Sequence, residues 1–394
     1  MMKRPLLLAV MTSAVVAPAA LAPWAQVPWV QTPAPAGLHA AIASVDATIA
    51  AEFAKDGVGG LSIGLVSGKQ LIWSKHYGYA DAEAKRVADN DTTYRVGSIT
   101  KQFTALALLQ LVEKNQMRLT DPLEKYVPEV KQVKSPPAGT PPITILQVAM
   151  MTSGLAREPD CDKHSVGPDV DWQKIVLRCL PETSYVNEPG TTYLYSNIGY
   201  ATLGLAIERA GRQPFIDQVR DRILVPLGMS RSAWEASPSV RANLAHGYQR
   251  GEAGGPPSRA AADRALDGRG YRIPNGGLIS TVNDLAKFAA WELGDGPPGI
   301  LRQEAQDANY SRAFFYAPGM YIGYGVGFQI QWRGPVLMLG HGGSTDGYHS
   351  SLIVHRPTHL GVIVLRNCDD CPVDAGPVAA RTLEQLVAAK AKSH

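Results

Sequence analysis

The stretch VGSITKQFTALALLQLVEK, residues 96 to 114, decides the fold of this sequence. Its apolar residues fall on most faces of a helix, which is typical of a helix buried in the middle of a protein. Ser98 and Lys101 stand three positions apart at its start, so both side chains lie on one face, about a turn apart. A helix N-terminus favours negative charge, and burial lowers the pKa of a lysine. The pair is therefore a candidate nucleophile with its base.

A second candidate nucleophile is Ser62, in GLSIG at residues 60 to 64, which fits the G-x-S-x-G pattern of α/β-hydrolases. That pattern needs a strand, a tight turn at the serine and then a helix. Here the strand continues through Val66 into a hairpin signal, and no helix follows. The flanking glycines are then explained by close packing of a neighbouring segment. We predict that Ser62 is buried or paired within the first core strand, and that Ser98 is the nucleophile.

The rest of the chain predicts one antiparallel sheet built from both chain ends and flanked by helices. A hairpin is expected over 59–81, and several strands of period two joined by short turns follow residue 320. A mainly helical lobe of about 90–270 is inserted between these strand regions, which gives an α/β (α+β) fold. The cleft between sheet and lobe is the expected binding site. Helices are predicted at 38–53, 199–211, 213–224, 280–293 and 377–391.

The N-terminus predicts export. Residues 1–22 combine a short basic region, an apolar stretch and small residues, which is the pattern of a secretory signal peptide. A Pro-rich lead-in at 23–37 precedes one domain at 38–394, and export would place that domain in the periplasm or outside the cell. No later segment is long and apolar enough to span a membrane.

Charge and cysteine content exclude several kinds of partner. The 38 basic and 35 acidic residues leave a net charge of +3, and no basic cluster is interleaved with aromatics, so nucleic acid is not expected to bind. After export the four cysteines would meet an oxidising compartment, where three pairings are possible. The simplest is Cys161–Cys179 with Cys368–Cys371. The CDDC run at 368–371 lacks the strand-to-helix setting of a thioredoxin-like redox site. We expect structural disulfides, no cofactor and no metal.

Two further motifs support a catalytic role for Ser98. Tyr195-Ser196-Asn197 stands in a turn just before a helix, and His341-Gly342-Gly343 ends a strand. Taken alone, Tyr195 would be a core aromatic, Asn197 a helix cap and the glycines a hairpin turn. The order Ser-x-x-Lys, Tyr-x-Asn and basic residue-x-Gly, each on the expected element, is hard to obtain by chance.

With these motifs, and with MTSGL, VPLGM and GGLISTVNDLAKF, residues 40 to 370 resemble the serine β-lactamase and penicillin-binding protein superfamily. The most similar branch holds class C β-lactamases, D-stereospecific peptidases and β-lactamase-like esterases. The resemblance implies that Ser98 attacks a carbonyl and forms an acyl-enzyme, while Lys101 and Tyr195 share the transfer of its proton. Which of the two is the principal base stays open.

The same resemblance assigns the remaining site residues. Asn197 would bind a substrate amide or hold Lys101. The backbone N–H groups of Ser98 and Ser344 would form the oxyanion hole, and Gly343 would let the substrate lie close to the strand edge.

Two departures from the family pattern bear on the substrate. His341 stands where β-lactamases and carboxypeptidases typically place Lys, and a neutral imidazole is a poorer partner for a substrate carboxylate. Met151 replaces a frequent histidine, which affects contacts behind the site. We therefore expect a serine hydrolase acting on an ester or D-amino-acid amide, as a small molecule or short peptide. The alternatives are a β-lactamase or DD-carboxypeptidase, and a non-catalytic penicillin-recognising protein.

Overall fold

The structure is a computed structural model. It describes residues 31–139, 141–161, 171–234, 238–250, 257–259, 262–263, 268–316 and 321–392. The predicted signal peptide at 1–22 and residues 23–30 of the lead-in lie outside the described residues. From residue 31 the lead-in runs beside the sheet, where the Thr32 N–H donates to the Leu71 carbonyl at 3.1 Å. Within the described ranges, no helix combines the length and apolar character needed to cross a membrane.

The sheet combines strands from both ends of the chain. The described strands are β1 (Gly60–Ser67), β2 (Gln70–Asp81), β3 (Arg86–Val87), β4 (Tyr94–Arg95), β5 (Tyr248–Gln249), β6 (Ile279–Ser280), β7 (Phe314–Phe315), β8 (Ile322–Tyr324), β9 (Gln329–Arg333), β10 (Val336–Thr345), β11 (Tyr348–His355), β12 (Leu360–Arg366) and β13 (Cys368–Asp369). Nine of them form one antiparallel sheet in the order β3-β2-β1-β12-β11-β10-β9-β8-β7. Because β1 pairs with β2 on one side and β12 on the other, the predicted fold class is confirmed.

Helices cover both faces of this sheet. The described helices are α1 (His39–Asp56), α2 (Thr100–Glu113), α3 (Ile145–Ala149), α4 (Trp172–Cys179), α5 (Asn197–Gly211), α6 (Phe215–Val219), α7 (Val225–Leu227), α8 (Pro238–Asn243), α9 (Ile273–Gly276), α10 (Val282–Glu292), α11 (Gln303–Tyr310) and α12 (Ala375–Ala391). The helices predicted at 38–53, 199–211, 280–293 and 377–391 correspond to α1, α5, α10 and α12. The segment predicted at 213–224 is α6 followed by a π-helical turn, Arg220–Leu224.

Strand β1 separates two apolar layers. Leu61, Ile63 and Leu65 share one cluster with α1 and α12, while Val66 belongs to the larger cluster that includes α2 and α10. A Cβ at Gly64 would collide with Val282 at the start of α10, so this glycine permits the close approach of that helix. The packing explanation of the glycines around Ser62 is therefore confirmed at Gly64.

Ser62 is fully buried between strands. Its hydroxyl lies 2.8 Å from His76 Nδ1 and 2.8 Å from the Tyr94 hydroxyl, and His76 Nε2 lies 2.8 Å from Asn90 Oδ1. A serine, a histidine and an amide in this order resemble a nucleophile with its base. However, Ser62 has no exposed surface, so a substrate cannot reach it. The prediction that Ser62 is buried or paired within the sheet is confirmed.

Both predicted disulfides are present. Cys161 pairs with Cys179 at the end of α4, and Cys368 in β13 pairs with Cys371 just before α12. All four cysteines are thus used in structural bonds.

Candidate active site

Ser98 lies in a short 3₁₀ turn, Gly97–Ile99, that leads into α2. The N–H of Val96, before the turn, donates to the Leu278 carbonyl at 3.1 Å, and Thr100 Oγ1 donates to the Gly97 carbonyl at 2.6 Å. Gly97 has a φ of +50°, and a Cβ there would lie 3.0 Å from Ser344 N. A glycine at 97 therefore lets the turn that carries Ser98 touch β10 at Ser344.

Lys101 is completely buried and has three oxygen atoms within hydrogen-bond distance. Its Nζ lies 3.1 Å from Ser98 Oγ, 2.8 Å from Asn197 Oδ1 and 2.7 Å from the Asn275 carbonyl oxygen. The two carbonyl oxygens can only accept, so Lys101 donates one N–H to each. A neutral amine has two N–H groups, so its lone pair then faces the Ser98 hydroxyl. Burial lowers the pKa of Lys101 well below 10.5 and favours this neutral form.

Tyr195 lies beside this pair, with its ring centroid 4.7 Å from Lys101 Nζ. The Arg157 guanidinium carbon is 4.9 Å from the same centroid. Burial raises the pKa of the Tyr195 phenol above its usual 10, although the contact with the Ser98 hydroxyl acts in the opposite direction. The phenol therefore holds its proton at neutral pH and can donate it.

The turn before α5 is held from behind by Met151. The Ser196 N–H donates to the Met151 sulfur at 3.2 Å. Ser196, rather than Asn197, caps the helix, because its Oγ accepts from the Gly199 N–H at 3.0 Å. The Asn197 side chain is therefore available to Lys101, and its Nδ2 donates to Glu158 Oε1 at 2.5 Å.

His341 is buried in β10, with 2% of its surface exposed. Its Nδ1 donates to the Gly342 carbonyl at 2.5 Å, because a carbonyl can only accept, and its Nε2 then accepts from the Tyr324 hydroxyl at 2.9 Å. Burial, aided by Lys101, lowers the pKa of His341 to about 3. The imidazole is therefore neutral at physiological pH, and protein groups occupy both of its nitrogens.

Among the strands that the structure describes, none pairs with the edge of β10 near Ser98. Strand β10 pairs with β9 only over Val336–Gly340, whereas its pairing with β11 extends to Thr345. The Gly342 N–H points away from β11, to Gln329 Oε1 at 3.3 Å. Alternate residues of a strand direct their N–H groups to the same edge, so the Ser344 N–H points to this open edge too.

Two backbone N–H groups can thus serve an oxyanion. The Ser98 N–H lies in the first turn of its helix, where N–H groups have no intrahelical acceptor, and the Ser344 N–H lies on the adjoining edge. Gly343 has a packing role here, since a Cβ would collide with the Val96 carbonyl oxygen. Its predicted contact with substrate stays a prediction.

Further aromatic side chains lie next to Tyr195. The Tyr195 and Tyr324 rings meet edge to face at 6.3 Å between centroids. Tyr193 lies 6.0 Å from Tyr324 and stacks on Tyr316 at 3.9 Å. We call Tyr193, Tyr316 and Tyr324 the tyrosine wall.

Sequence reasoning missed Glu158, Tyr271 and Asn275. Asn275 contributes a backbone carbonyl, which any residue type would offer, so the sequence carries no signal for it. Glu158 follows the MTSGL motif by three residues, in a loop without periodicity, and its partners are remote in sequence.

Among the described residues, one group of side chains has the spacing of a metal site. Ligand atoms of Asp81, Glu83 and His246 lie within 4.8 Å of one another. Their partners are protein groups: His246 Nδ1 lies 3.3 Å from Asp81, and the Tyr248 hydroxyl donates to Glu83 at 2.7 Å. The group shares no residue with the site around Ser98.

The chain is similar to known proteins over most of its length. The family model described as Beta-lactamase matches residues 45–386. Protein flp of Staphylococcus aureus strain MRSA252 is 25% identical over 323 residues, which cover 82% of this chain and 62% of that protein. The chain therefore spans about three fifths of the length of this curated relative.

Two solved structures share the fold. The octameric penicillin-binding protein homologue from Pyrococcus abyssi superposes with a TM-score of 0.72 at 25% identity, covering 88% of this chain and 77% of that one. The D-amino acid amidase from Ochrobactrum anthropi SV3, complexed with L-phenylalanine amide, gives a TM-score of 0.71 at 22% identity, covering 90% and 99%.

Proposed function

The chain belongs to the Beta-lactamase family, and from this premise we propose that it is a serine hydrolase that cleaves an ester or amide through an acyl-enzyme on Ser98. One observation carries the proposal. Lys101 Nζ lies 3.1 Å from Ser98 Oγ while two carbonyl oxygens accept from its N–H groups. This is the geometry of a nucleophile beside its general base.

In the proposed mechanism Lys101 is the principal base. As Ser98 Oγ attacks the substrate carbonyl, its proton passes to the Lys101 lone pair, and the carbonyl oxygen takes the negative charge. The N–H groups of Ser98 and Ser344 stabilise that charge. When the tetrahedral intermediate collapses, the Tyr195 hydroxyl gives its proton to the leaving group and is reprotonated from Lys101. Water then cleaves the acyl-enzyme by the same steps in reverse.

We propose an uncharged acyl group as the preferred substrate element. Burial and full hydrogen bonding of His341 support this, because no cation at 341 is available to a substrate carboxylate. Within the tyrosine wall, the partly exposed rings of Tyr193 and Tyr316 support an apolar or aromatic acyl group, since tyrosine rings offer large apolar contact area. The similarity to a D-amino acid amidase suggests amides of D-amino acids as the first peptide-like substrates to test.

A β-lactamase or DD-carboxypeptidase is the second candidate, and one observation favours it. Arg157 stacks on Tyr195 with 65% of its side chain exposed, and it could meet the carboxylate that those substrates carry. Arg157→Gln should then weaken binding of a fluorescent penicillin and leave binding of a neutral ester unchanged.

The test is covalent labelling followed by mapping of the adduct by mass. A fluorophosphonate should label Ser98 in the native protein and in Ser62→Ala, but not label Ser98→Ala. A panel of p-nitrophenyl esters, D-amino-acid p-nitroanilides and nitrocefin then assigns the substrate class. An adduct on Ser62, or none with either fluorophosphonate or fluorescent penicillin, contradicts the proposal. The latter result would favour a binding protein.

We also propose that the protein is exported. The signal-like pattern of residues 1–22 and the two disulfides support this, because such bonds persist in oxidising compartments. Expressed in a Gram-negative host, the full chain should be found outside the cytoplasm with no free thiols. A chain lacking residues 2–22 should stay in the cytoplasm.

A further inference from the structure

We propose that Glu158 is a positioning residue: through Asn197 it orients Lys101 towards Ser98, and its charge sets the pH range in which Lys101 can act. The inference rests on the proposed acyl-enzyme function. Glu158 does not contact Ser98, so its effect would pass through its neighbours.

Glu158 belongs to a closed ring of five residues joined by hydrogen bonds, which we call the Lys101 ring: Lys101, Asn197, Glu158, Tyr271 and Asn275. Lys101 donates to Asn197 Oδ1 at 2.8 Å, and Asn197 Nδ2 donates to Glu158 Oε1 at 2.5 Å. The Tyr271 hydroxyl donates to Glu158 Oε2. Asn275 Nδ2 donates to the Tyr271 carbonyl at 3.4 Å, and the Asn275 carbonyl accepts from Lys101 at 2.7 Å. Both carboxylate oxygens of Glu158 are therefore connected to Lys101, one through Asn197 and the other through Tyr271 and Asn275.

A carboxylate gives this ring a fixed direction. An ionised carboxylate can only accept, so the NH₂ group of Asn197 must face Glu158. The carbonyl oxygen of Asn197 then faces Lys101, which must donate to it. With the Asn275 carbonyl as the second acceptor, the remaining position on Nζ is directed to Ser98. Without the carboxylate, the Asn197 amide could rotate and present N–H groups to the lysine.

The charge of Glu158 acts against burial. Burial is the largest influence on the pKa of Lys101 and lowers it. The negative charge of Glu158 raises this pKa, whereas the positive charges of Arg157 and Arg272 lower it. The charged or titratable groups that face Lys101 are Glu158, Arg157, Arg272, Tyr195, Tyr200 and His341. Glu158 is the acid among them. Removing its charge should lower the pKa of Lys101 further, so neutral lysine would persist to lower pH.

The experiment measures the rate at which a fluorophosphonate labels Ser98 as a function of pH, and so needs no natural substrate. In Glu158→Gln the amide oxygen can still accept from Asn197, so the plateau rate should stay within a few-fold, while the acidic limb moves to lower pH by about half to one unit. In Glu158→Ala the plateau rate should fall about tenfold or more, because the lysine loses its orientation.

Asp160→Asn is the matched control, because it removes an exposed acid two residues along the same loop. Its profile should follow the native one, and thermal melts should show that all variants fold. An unchanged limb in Glu158→Gln, or an equal shift in Asp160→Asn, overturns the inference while Ser98 labelling stays intact. Absence of Ser98 labelling in the native protein overturns the proposed function, and the inference with it.

Discussion

Lys101 and His341 are two buried bases in one site, and burial lowers the pKa of both. Only the lysine has a lone pair directed at Ser98, since Tyr324 and the Gly342 carbonyl occupy the imidazole nitrogens. The sequence left open whether lysine or tyrosine is the principal base. Burial lowers the pKa of the Lys101 amine and raises the pKa of the Tyr195 phenol. These opposite shifts support the proposal that Lys101 is the principal base.

The pH dependence of activity should therefore follow Lys101. With an uncharged p-nitrophenyl ester, kcat/KM should rise with pH through the lowered pKa of Lys101 and level off well below pH 10. His341, with a pKa of about 3, should contribute no limb between pH 5 and 8. His341→Gln should accordingly leave the limb where it is, whatever its effect on the plateau. A native limb near pH 6.5 that disappears in His341→Gln would contradict this assignment.

Ser62 provides the matching test of a buried serine. Ser62→Ala removes a hydroxyl that lies 2.8 Å from both His76 and Tyr94, so the free energy of unfolding should fall by about 1–3 kcal/mol. Ester hydrolysis should stay within twofold of the native rate in this variant. Urea titration and steady-state kinetics measure the two quantities. A large loss of activity with unchanged stability would contradict this prediction and indicate that Ser62 is the nucleophile.

At the scale of elements, the sequence predicted what local patterning determines. The β1–β2 hairpin follows from period-two runs on either side of a turn, and α2 from a long apolar helical run. The two-residue pairings of β4 with β6 and β5 with β13 carry no such pattern. The same holds for Glu158, which meets Asn197 and Tyr271 only after distant segments have packed. The motif residues could be found because a known family shares them, and their supporting contacts could not.

The Cys161–Cys179 disulfide restrains the loop that carries Glu158, because Cys161 lies three residues after Glu158. The bond closes a loop with a sequence separation of 18, and its loss should lower stability by roughly 3 kcal/mol. Because the loop reaches Asn197, we expect Cys161→Ser with Cys179→Ser to reduce kcat as well as raise KM. Thermal melts measure the loss of stability. Steady-state kinetics at a temperature below the unfolding transition measure kcat and KM.

The second disulfide supplies the control for that experiment. The double substitution Cys368→Ser and Cys371→Ser removes a disulfide with a sequence separation of only 3. Neither cysteine belongs to the Lys101 ring of hydrogen-bonded residues that includes Glu158. This variant should keep the native kcat. Equal loss of kcat in both double variants would indicate general destabilisation instead of an effect on the loop.

At the scale of the whole molecule, a buried ion pair connects the first described helix to the strands and helix near the C-terminus. Arg366 in β12 donates to Asp56 at the end of α1 at 2.8 Å, and both side chains are almost fully buried. The same Asp56 oxygen accepts from the Val373 N–H before α12 at 3.0 Å. One carboxylate thus links the first helix, a central strand and the entry to the last helix. Ser344, in β10, belongs to the same sheet as Arg366 in β12.

His349 makes a second connection at the C-terminal end, and it gives stability a pH dependence. Its Nε2 lies 2.9 Å from Asp369, and its Nδ1 lies 3.1 Å from Asp374, which caps α12. Hydrogen bonds to Asp369 and Asp374 raise the pKa of His349 to about 9. A raised pKa in the folded state means that the stabilisation is fully present below about pH 6.5, the unfolded value, and is lost as pH rises through 9.

His349→Phe should therefore lower the free energy of unfolding by on the order of 2 kcal/mol at pH 6 and by much less at pH 10. His355, on the same strand, is the control, because burial lowers its pKa and its charge costs stability at low pH. His355→Phe should be less destabilising at pH 6 than at pH 10, the opposite trend. Urea unfolding of the native protein and both variants at the two pH values measures this. Equal loss at both pH values in His349→Phe would mean that packing, and not the charge on His349, joins α12 to the sheet.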